Sequence, residues 1–467
     1  MIFNDGDIIV APATPMGGAL CLVRLSGEGS IELCDKVFRG RRRLTEAAAS
    51  TLHYGEIVDA EEVVDDVVVS IFRAPHSYTA EESVEISAHG SRYVVERILA
   101  LLIRCGARMA EAGEFTRRAF LAGRMDLSQA EAVADIIAAD SHASHAVAAT
   151  QMRGAYSQEL ETLRGQLLHI TSLLELELDF SEEDVEFADR GELASLLAHT
   201  QQRVNSLAAS FALGNALKEG VTVAIAGRPN VGKSTLLNRL AGEDRAMVSE
   251  IAGTTRDTIE ATANIGGVVF RFVDTAGLHA TEDKLEQMGI ERTAEALRKA
   301  RIILWLTDKE DSSIEEDLIG YIPSENQKIY RIITKIDLHP ALASEADSMN
   351  NLTDNETTSQ PHRYPTIAIS AKSGKGIERL QQALQESVDA SGAYNGEVIV
   401  SNRRHHEALR EAGQSLEAAI AALESGVPTD LLSEDIRQAL HHLGIITGEI
   451  TSDDILKNIF SKFCIGK

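Results

Sequence analysis

Hydrophobic and polar positions follow three successive patterns along this chain. Over residues 1 to about 121, short apolar runs are broken by polar ones. Ile8–Ala11, Cys21–Leu25, Val67–Phe72 and Ser83–Ala88 are the expected strands. Val94, Ile98, Leu101 and Leu102 fall on one face of a helix expected over Tyr93–Cys105. Strands and helices so mixed predict an α+β domain. From about Asp126 to Leu217 the period is helical, with no proline and many strong helix formers. Leu163, Leu167, Ile170, Leu174 and Leu178 recur at the three- and four-residue steps of a bundle helix. From about Lys218, strands alternate with helices: Val221–Ala226, Val268–Val273, Ile302–Leu306, Ile329–Thr334 and Thr366–Ser370. That order predicts a doubly wound α/β domain with a mostly parallel sheet. Helical composition returns in Glu407–Leu423 and Ser433–Thr447, and the polar stretch Ala343–Gln360 is expected as a surface loop.

These shifts divide the chain into segments 1–121, 122–217, 218–381 and 382–467. The simplest topology inserts the α/β domain into a helical bundle whose halves pack together; the alternative is a linear string of domains. The length of 467 residues suits about three domains. No apolar run reaches the roughly 18 residues of a membrane span. The acidic start, with Asp5 and Asp7, is unlike a signal peptide, so a cytoplasmic location is expected. Cys21, Cys34, Cys105 and Cys464 form no Cys-x-x-Cys pair, which argues against a zinc or disulfide framework. The net charge of −26 opposes nucleic-acid binding by the chain alone. Two basic runs stand out, Arg39-Gly40-Arg41-Arg42-Arg43 and Arg403-Arg404-His405-His406, and a solvated face is the simpler reading of each.

Candidate chemistry centres on Gly227-x-x-x-x-Gly232-Lys233-Ser234, which follows an expected strand and precedes Leu236, Leu237 and Leu240 at helical spacing. Glycines let backbone N–H groups wrap phosphates, and a helix N-terminus favours anions. Lys233 suits the β- and γ-phosphates, and Ser234 suits Mg²⁺. Later motifs fall at strand ends, where open sheets bind ligands. Thr255, in Gly253-Thr254-Thr255-Arg256-Asp257, is a second Mg²⁺ candidate. Asp274-Thr275-Ala276-Gly277 can meet the metal through water and face the γ-phosphate. In Thr334-Lys335-Ile336-Asp337, the carboxylate of Asp337 can accept two hydrogen bonds from a guanine edge. Ser370-Ala371-Lys372 offers backbone to the guanine oxygen. This order of motifs points to a GTPase. Two positions depart from the common pattern: Thr334 replaces the usual Asn, and Leu278 occupies the place of a water-orienting Gln.

With those motifs, the ending Cys464-Ile465-Gly466-Lys467 and the runs Gly113–Phe120 and Asp126–Val133 resemble the MnmE (TrmE) family of bacterial tRNA-modification GTPases along the whole chain. The resemblance implies that Asn230, Val231, Gly232, Lys233, Ser234 and Thr235 hold the GTP or GDP phosphates. It adds a loop of Ser249, Glu250, Ile251, Ala252, Gly253, Thr254 and Thr255. Asn230, Ser249, Ile251 and Thr254 would bind K⁺, standing in for an arginine finger. Glu286 would orient the attacking water with Asn230 and Lys233 in the catalytic set; Glu282 is its rival. The N-terminal domain would form a homodimer and bind 5-formyltetrahydrofolate or a related tetrahydrofolate through Arg24, Glu85, Arg124 and Lys467. Arg124 stands where Lys is commoner, and Glu82 where Asp is. Cys464 is either a buried structural thiol or an active one.

The implied function is K⁺-stimulated GTP hydrolysis coupled to tRNA modification. An FAD/NADH-dependent MnmG (GidA) partner would help add an aminomethyl or carboxymethylaminomethyl group at C5 of wobble uridines. The alternatives are a GTPase switch in ribosome assembly and a folate enzyme whose GTPase is regulatory. Against the switch, no RNA-binding module follows the G domain.

Overall fold

Apolar alternation in the first third of the chain becomes one seven-stranded sheet. Its strands are β1 (Ile9–Pro12), β2 (Leu20–Ser26), β3 (Phe38–Gly40), β4 (Thr51–Asp59), β5 (Glu62–Phe72), β6 (Ser83–His89) and β7 (Arg108–Met109). The order is β3-β4-β5-β6-β2-β1-β7, antiparallel except between β1 and β7. Val23, Leu25, Val69, Ile71, Val84 and Ile86 share a buried core with Ile98 and Leu102 of helix Arg92–Arg104. That helix buries Leu101 as expected and Val95 and Leu99 as well, while Val94 is only half-buried, so the inward face is broader than expected and departs from it only at Val94. Three strands of this sheet escaped the sequence reading for physical reasons. β7 has only two residues. β3 has three residues, and β4 exposes Leu52 and Tyr54 while burying only Gly55 and Ile57, so its alternation does not read as a core strand.

This computed structural model describes residues 6–179, 190–243, 261–274, 295–308, 327–338, 364–388 and 394–467. The chain divides into two units, one of Met1–Ala134, Gln151–Thr200 and Glu411–Lys467, the other of Asp135–Thr150 and Gln201–Arg410. In the first unit, helix Ala155–Asp179 packs along helix Thr429–Thr447, with Arg437 Nη2 2.9 Å from Glu175 Oε1. Leu163, Leu167, Ile170 and Leu174 form the buried stripe of the earlier helix. The side chain of Leu178 and the stretch Ala343–Gln360 lie outside the described residues.

The second unit holds a six-stranded sheet: β8 (Val221–Gly227), β9 (Ala261–Ile265), β10 (Val268–Asp274), β11 (Ile302–Thr307), β12 (Lys328–Ile333) and β13 (Thr366–Ala368). Its order is β13-β12-β11-β8-β10-β9, with only β9 antiparallel. Both faces are covered. Val223, Ile225, Leu304 and Leu306 pack with Leu236 and Leu240 of helix Lys233–Glu243 and with Leu380 and Leu384 of helix Ile377–Ser387. Ala224, Ala226, Ile303 and Trp305 pack with Leu297 and Ala300 on the other side. Central parallel strands buried on two faces need continuous apolar sequence, which is why β8 and β11 were legible. The doubly wound, mostly parallel fold is the one expected. Among the described residues, no helix is long and apolar enough to cross a membrane.

Candidate functional site

The carboxyl ends of β8, β10, β11, β12 and β13 lead into the segments that carry the nucleotide motifs. Gly227 closes β8 at φ 145°, and a Cβ there would collide with the Leu306 carbonyl of the neighbouring strand, so only glycine fits. Asn230 and Gly232 also take positive φ, 62° and 106°, which bends the loop back on itself before helix Lys233–Glu243 begins. Lys233 is buried, and its Nζ donates to the carbonyls of Gly227 at 2.6 Å and Arg228 at 2.9 Å. The ammonium is therefore held inside the curve of the loop. Ser234 and Thr235 are exposed in the first helical turn, and Val231 is buried beneath the loop.

Thr334 supplies a link that its sequence position left open. It is buried, and its Oγ1 donates to the Val231 carbonyl at 2.7 Å, tying the end of β12 to the phosphate loop. The hydroxyl thus preserves a side-chain-to-loop bond despite the absence of Asn. We predict that Thr334→Val, which keeps the shape and removes the donor, costs about 1–3 kcal/mol and weakens GDP binding. Thermal melts and GDP titrations of the variant check this, and wild-type GDP affinity would show that the loop does not depend on Thr334.

Lys335 follows at φ 58°, with Nζ 3.0 Å from Asp308 Oδ2 at the end of β11. Asp337 is exposed in the turn beyond. Ser370 is buried, and the bonds of its N–H to the Lys375 carbonyl (2.8 Å) and of Gly374 N–H to its own carbonyl (2.9 Å) close a tight turn. Half-buried Ala371 and exposed Lys372 lie on that turn. Sequence reasoning did not assign Asp308; an acid at a strand end, one residue past a buried Thr307, was the available signal. Ser249, Glu250, Ile251, Ala252, Gly253, Thr254, Thr255, Thr275, Ala276, Gly277, Glu282 and Glu286 lie outside the described residues, as does the side chain of Asp274.

A second constellation sits on the N-terminal sheet. Arg24 and Glu85 face each other across β2 and β6, with Nε donating to Oε1 at 2.9 Å and Nη2 2.7 Å from the same oxygen. The guanidinium lies between two rings, 5.3 Å from Tyr78 and 5.7 Å from Phe115. Tyr78 is positioned by its hydroxyl, 2.9 Å from Thr116 Oγ1. Buried Arg24 Nη1 has no hydrogen-bond partner among the described residues, a costly state that a ligand acceptor would relieve. Tyr78 and Phe115 were not assigned from sequence, although Phe115 lies in the run Gly113–Phe120 that carried the resemblance.

The C-terminal tail reaches this same sheet. Ile465 bridges Ala112 in antiparallel fashion, and Gly466 rests against Pro12, the residue paired with Val23 beside Arg24. Lys467 is half-buried there, Cys464 is exposed, and Arg124 is exposed. The exposed position of Cys464 leaves no structural packing role for its thiol. The structure pairs Arg24 with Glu85 and brings the tail to the adjoining strand; it records no contact of Arg124 with either.

Residues 127–464 match the family described as the MnmE helical domain, and residues 8–124 match the GTP-binding protein TrmE N-terminus. The chain is 49% identical over 473 residues to the tRNA modification GTPase MnmE of Porphyromonas gingivalis, covering 100% of this chain and 99% of that protein. It is 47% identical over 473 residues to the protein of the same name from Christiangramia forsetii, covering 99% of each.

Proposed function

Since this chain belongs to the MnmE family of tRNA modification GTPases, we propose that it couples K⁺-stimulated GTP hydrolysis to a folate-dependent modification of the wobble uridine. GTP hydrolysis in tRNA modification is the activity of the family. The finer reading adds a tetrahydrofolate one-carbon unit, an FAD-dependent partner, and an aminomethyl or carboxymethylaminomethyl product at C5.

The observation that carries the folate reading is the meeting of chain ends: the Ile465–Gly466 tail docks beside the strand bearing Arg24, whose Nη1 lacks a partner. Guanidinium and ammonium groups suit the glutamate carboxylates of a folate, and Glu85 suits a pterin's N–H groups. Arg24, Glu85, Arg124 and Lys467 would hold the cofactor, which supplies an activated one-carbon unit when bound. The tyrosine and phenylalanine rings around Arg24 restrict its rotation, so the guanidinium is presented in a fixed direction.

In the nucleotide unit, Lys233 and the loop backbone would bind the phosphates. Ser234 and Thr255 offer hydroxyl oxygens of the kind Mg²⁺ accepts. Asn230, Ser249, Ile251 and Thr254 offer neutral oxygens suited to K⁺, which would add positive charge beside the phosphates. Glu286 would orient water for attack. Two such domains meeting in a homodimer would order these loops. We retain segments 1–121, 122–217, 218–381 and 382–467 as domains, a reading supported by the packing of helix Ala155–Asp179 on Thr429–Thr447.

A reconstituted reaction tests the whole proposal. Unmodified tRNA, the FAD-dependent partner, GTP, K⁺ and a reduced folate should give modified uridine, followed by nucleoside mass spectrometry. Deleting Cys464–Lys467 should stop product formation while GTP hydrolysis continues. Product formed without folate would remove the one-carbon assignment, and equal hydrolysis rates in Na⁺ would remove the K⁺ assignment.

A further inference from the structure

The two basic runs have opposite fates in the fold. In Arg403-Arg404-His405-His406 every residue but exposed Arg403 is drawn into the fold. Arg403 Nε donates to Glu407 at 2.8 Å, Arg404 meets the His405 ring, His405 is fully buried, and His406 stacks on Phe211 at 4.4 Å. The run after β3 remains open. From Lys36 to Arg43 there are five cationic side chains and no acid, and all five are exposed. Arg39 Nε donates to Glu56 at 2.8 Å, and Arg43 Nε donates to Asp35 at 2.9 Å. Arg41 and Arg42 have no ion pair among the described residues.

The loop that presents them is fixed at both ends. The Phe38 ring lies across Gly40 and Gly55, clamping the sheet edge where the loop begins. At its far end, buried Leu44 donates its N–H to Asp35 Oδ1 at 2.6 Å. Arg39 and Arg43 are steadied by their carboxylates, so the two unpaired guanidinium groups stand between two anchored ones. Tyr54, on the neighbouring strand, is 71% exposed, with its hydroxyl donating to Asp66 at 3.3 Å.

A net charge of −26 opposes polyanion binding by the chain as a whole. A basic loop anchored at both ends, with Arg41 and Arg42 left without an ion pair among the described residues, is the local exception that a phosphate chain needs. We propose that Arg41 and Arg42, flanked by Lys36, Arg39 and Arg43, form a docking surface for the phosphate backbone of the RNA substrate. This rests on the tRNA-modification reading above and deepens it by assigning a place where this chain touches the RNA. Guanidinium forks pair with phosphate oxygens two at a time. Such contacts orient the RNA without reading its sequence.

The test uses the full chain in complex with its FAD-dependent partner, carrying Arg41→Glu and Arg42→Glu together. Binding of unmodified tRNA is measured by fluorescence anisotropy across a salt series, with GTP hydrolysis followed in the same samples. The expected result is a Kd raised about ten-fold or more at low salt and a salt slope smaller by about 1–2. GTP hydrolysis should stay at the wild-type rate, and amide-exchange protection over residues 7–121 should match wild type, which shows that the unit carrying the loop is folded. Arg403→Glu should leave tRNA affinity unchanged. Wild-type affinity and slope in the double variant would overturn the surface while leaving the tRNA reading intact. Lost binding to an acidic protein with tRNA affinity retained would overturn it too. A wild-type complex that neither binds nor modifies tRNA would bring down the functional reading and this surface with it.

Discussion

Lys233→Ala is expected to lower kcat for GTP hydrolysis by about 10²–10³-fold at saturating GTP. The argument begins with position. Lys233 is the first residue of helix Lys233–Glu243 and is only 7% exposed, so its charge is shielded from bulk water. Its Nζ bonds the Gly227 and Arg228 carbonyls, which fixes the ammonium within the loop. A fixed donor aimed at developing phosphate charge needs little reorganisation during reaction, and that is the source of its leverage. Alanine removes the charge and leaves two loop carbonyls without their shared donor. Nucleotide affinity should fall as well, so single-turnover rates at saturating GTP are the decisive readout. Lys233→Arg should not restore the rate, because a planar fork does not replace a compact ammonium. Hydrolysis at the wild-type rate in a folded Ala variant would sink the assignment of Lys233.

The nucleotide unit was legible because its physics is local. Strands β8 and β11 are buried on both faces and read as apolar runs, and the loop motifs carry their chemistry in a few adjacent residues. The bond from Thr334 to Val231 joins residues 103 positions apart, and no local pattern contains it. The N-terminal sheet was harder. β4 pairs with β5 along nine residues, yet its exposed Leu52 and Tyr54 disguise it as surface loop. Arg24 and Glu85 were identified only through resemblance; separately each is an ordinary charge. Their significance comes from cross-strand register, which sets residues 61 positions apart face to face, with the Arg24 guanidinium against the Tyr78 and Phe115 rings. The same limit applied to the two basic runs. Composition made them equivalent, and only packing separated the absorbed run from the open one.

Glu114→Ala is expected to destabilise the N-terminal unit by about 3–5 kcal/mol, the usual cost of stripping one partner from a buried ion pair. Glu114 is 1% exposed in its side chain. It accepts from Arg108 Nη2 at 2.6 Å, Arg118 Nη2 at 3.1 Å and the Glu111 N–H at 2.8 Å. Arg118, itself buried, also reaches Asp7 at 2.8 Å and Glu81 at 3.1 Å. Three segments therefore meet at Arg118, which Glu114 helps to hold: the approach to β1, the loop before β6 and the helix Glu114–Leu121. Burial alone would raise the Glu114 pKa, but Arg108, the Glu111 N–H and Arg118 outweigh it and hold the carboxyl below the ordinary glutamate range. Its folded pKa is depressed, so its stabilisation is complete above the unfolded value and is lost as pH falls through the folded one. The gap between wild type and variant should thus stay constant at neutral pH and close only in acid. The single tryptophan, Trp305, lies in the nucleotide sheet and reports the other unit. Amide exchange over residues 7–121 is the proper probe; its protection should fall about 10²–10⁴-fold with the Trp305 fluorescence midpoint unchanged. Unaltered protection would show that this network is not what braces the unit. The helix it secures carries Phe115 beneath Arg24 and Thr116 against Tyr78. Loosening the network should therefore also blur the Arg24 site, lowering folate affinity without any change to a residue proposed to touch the cofactor.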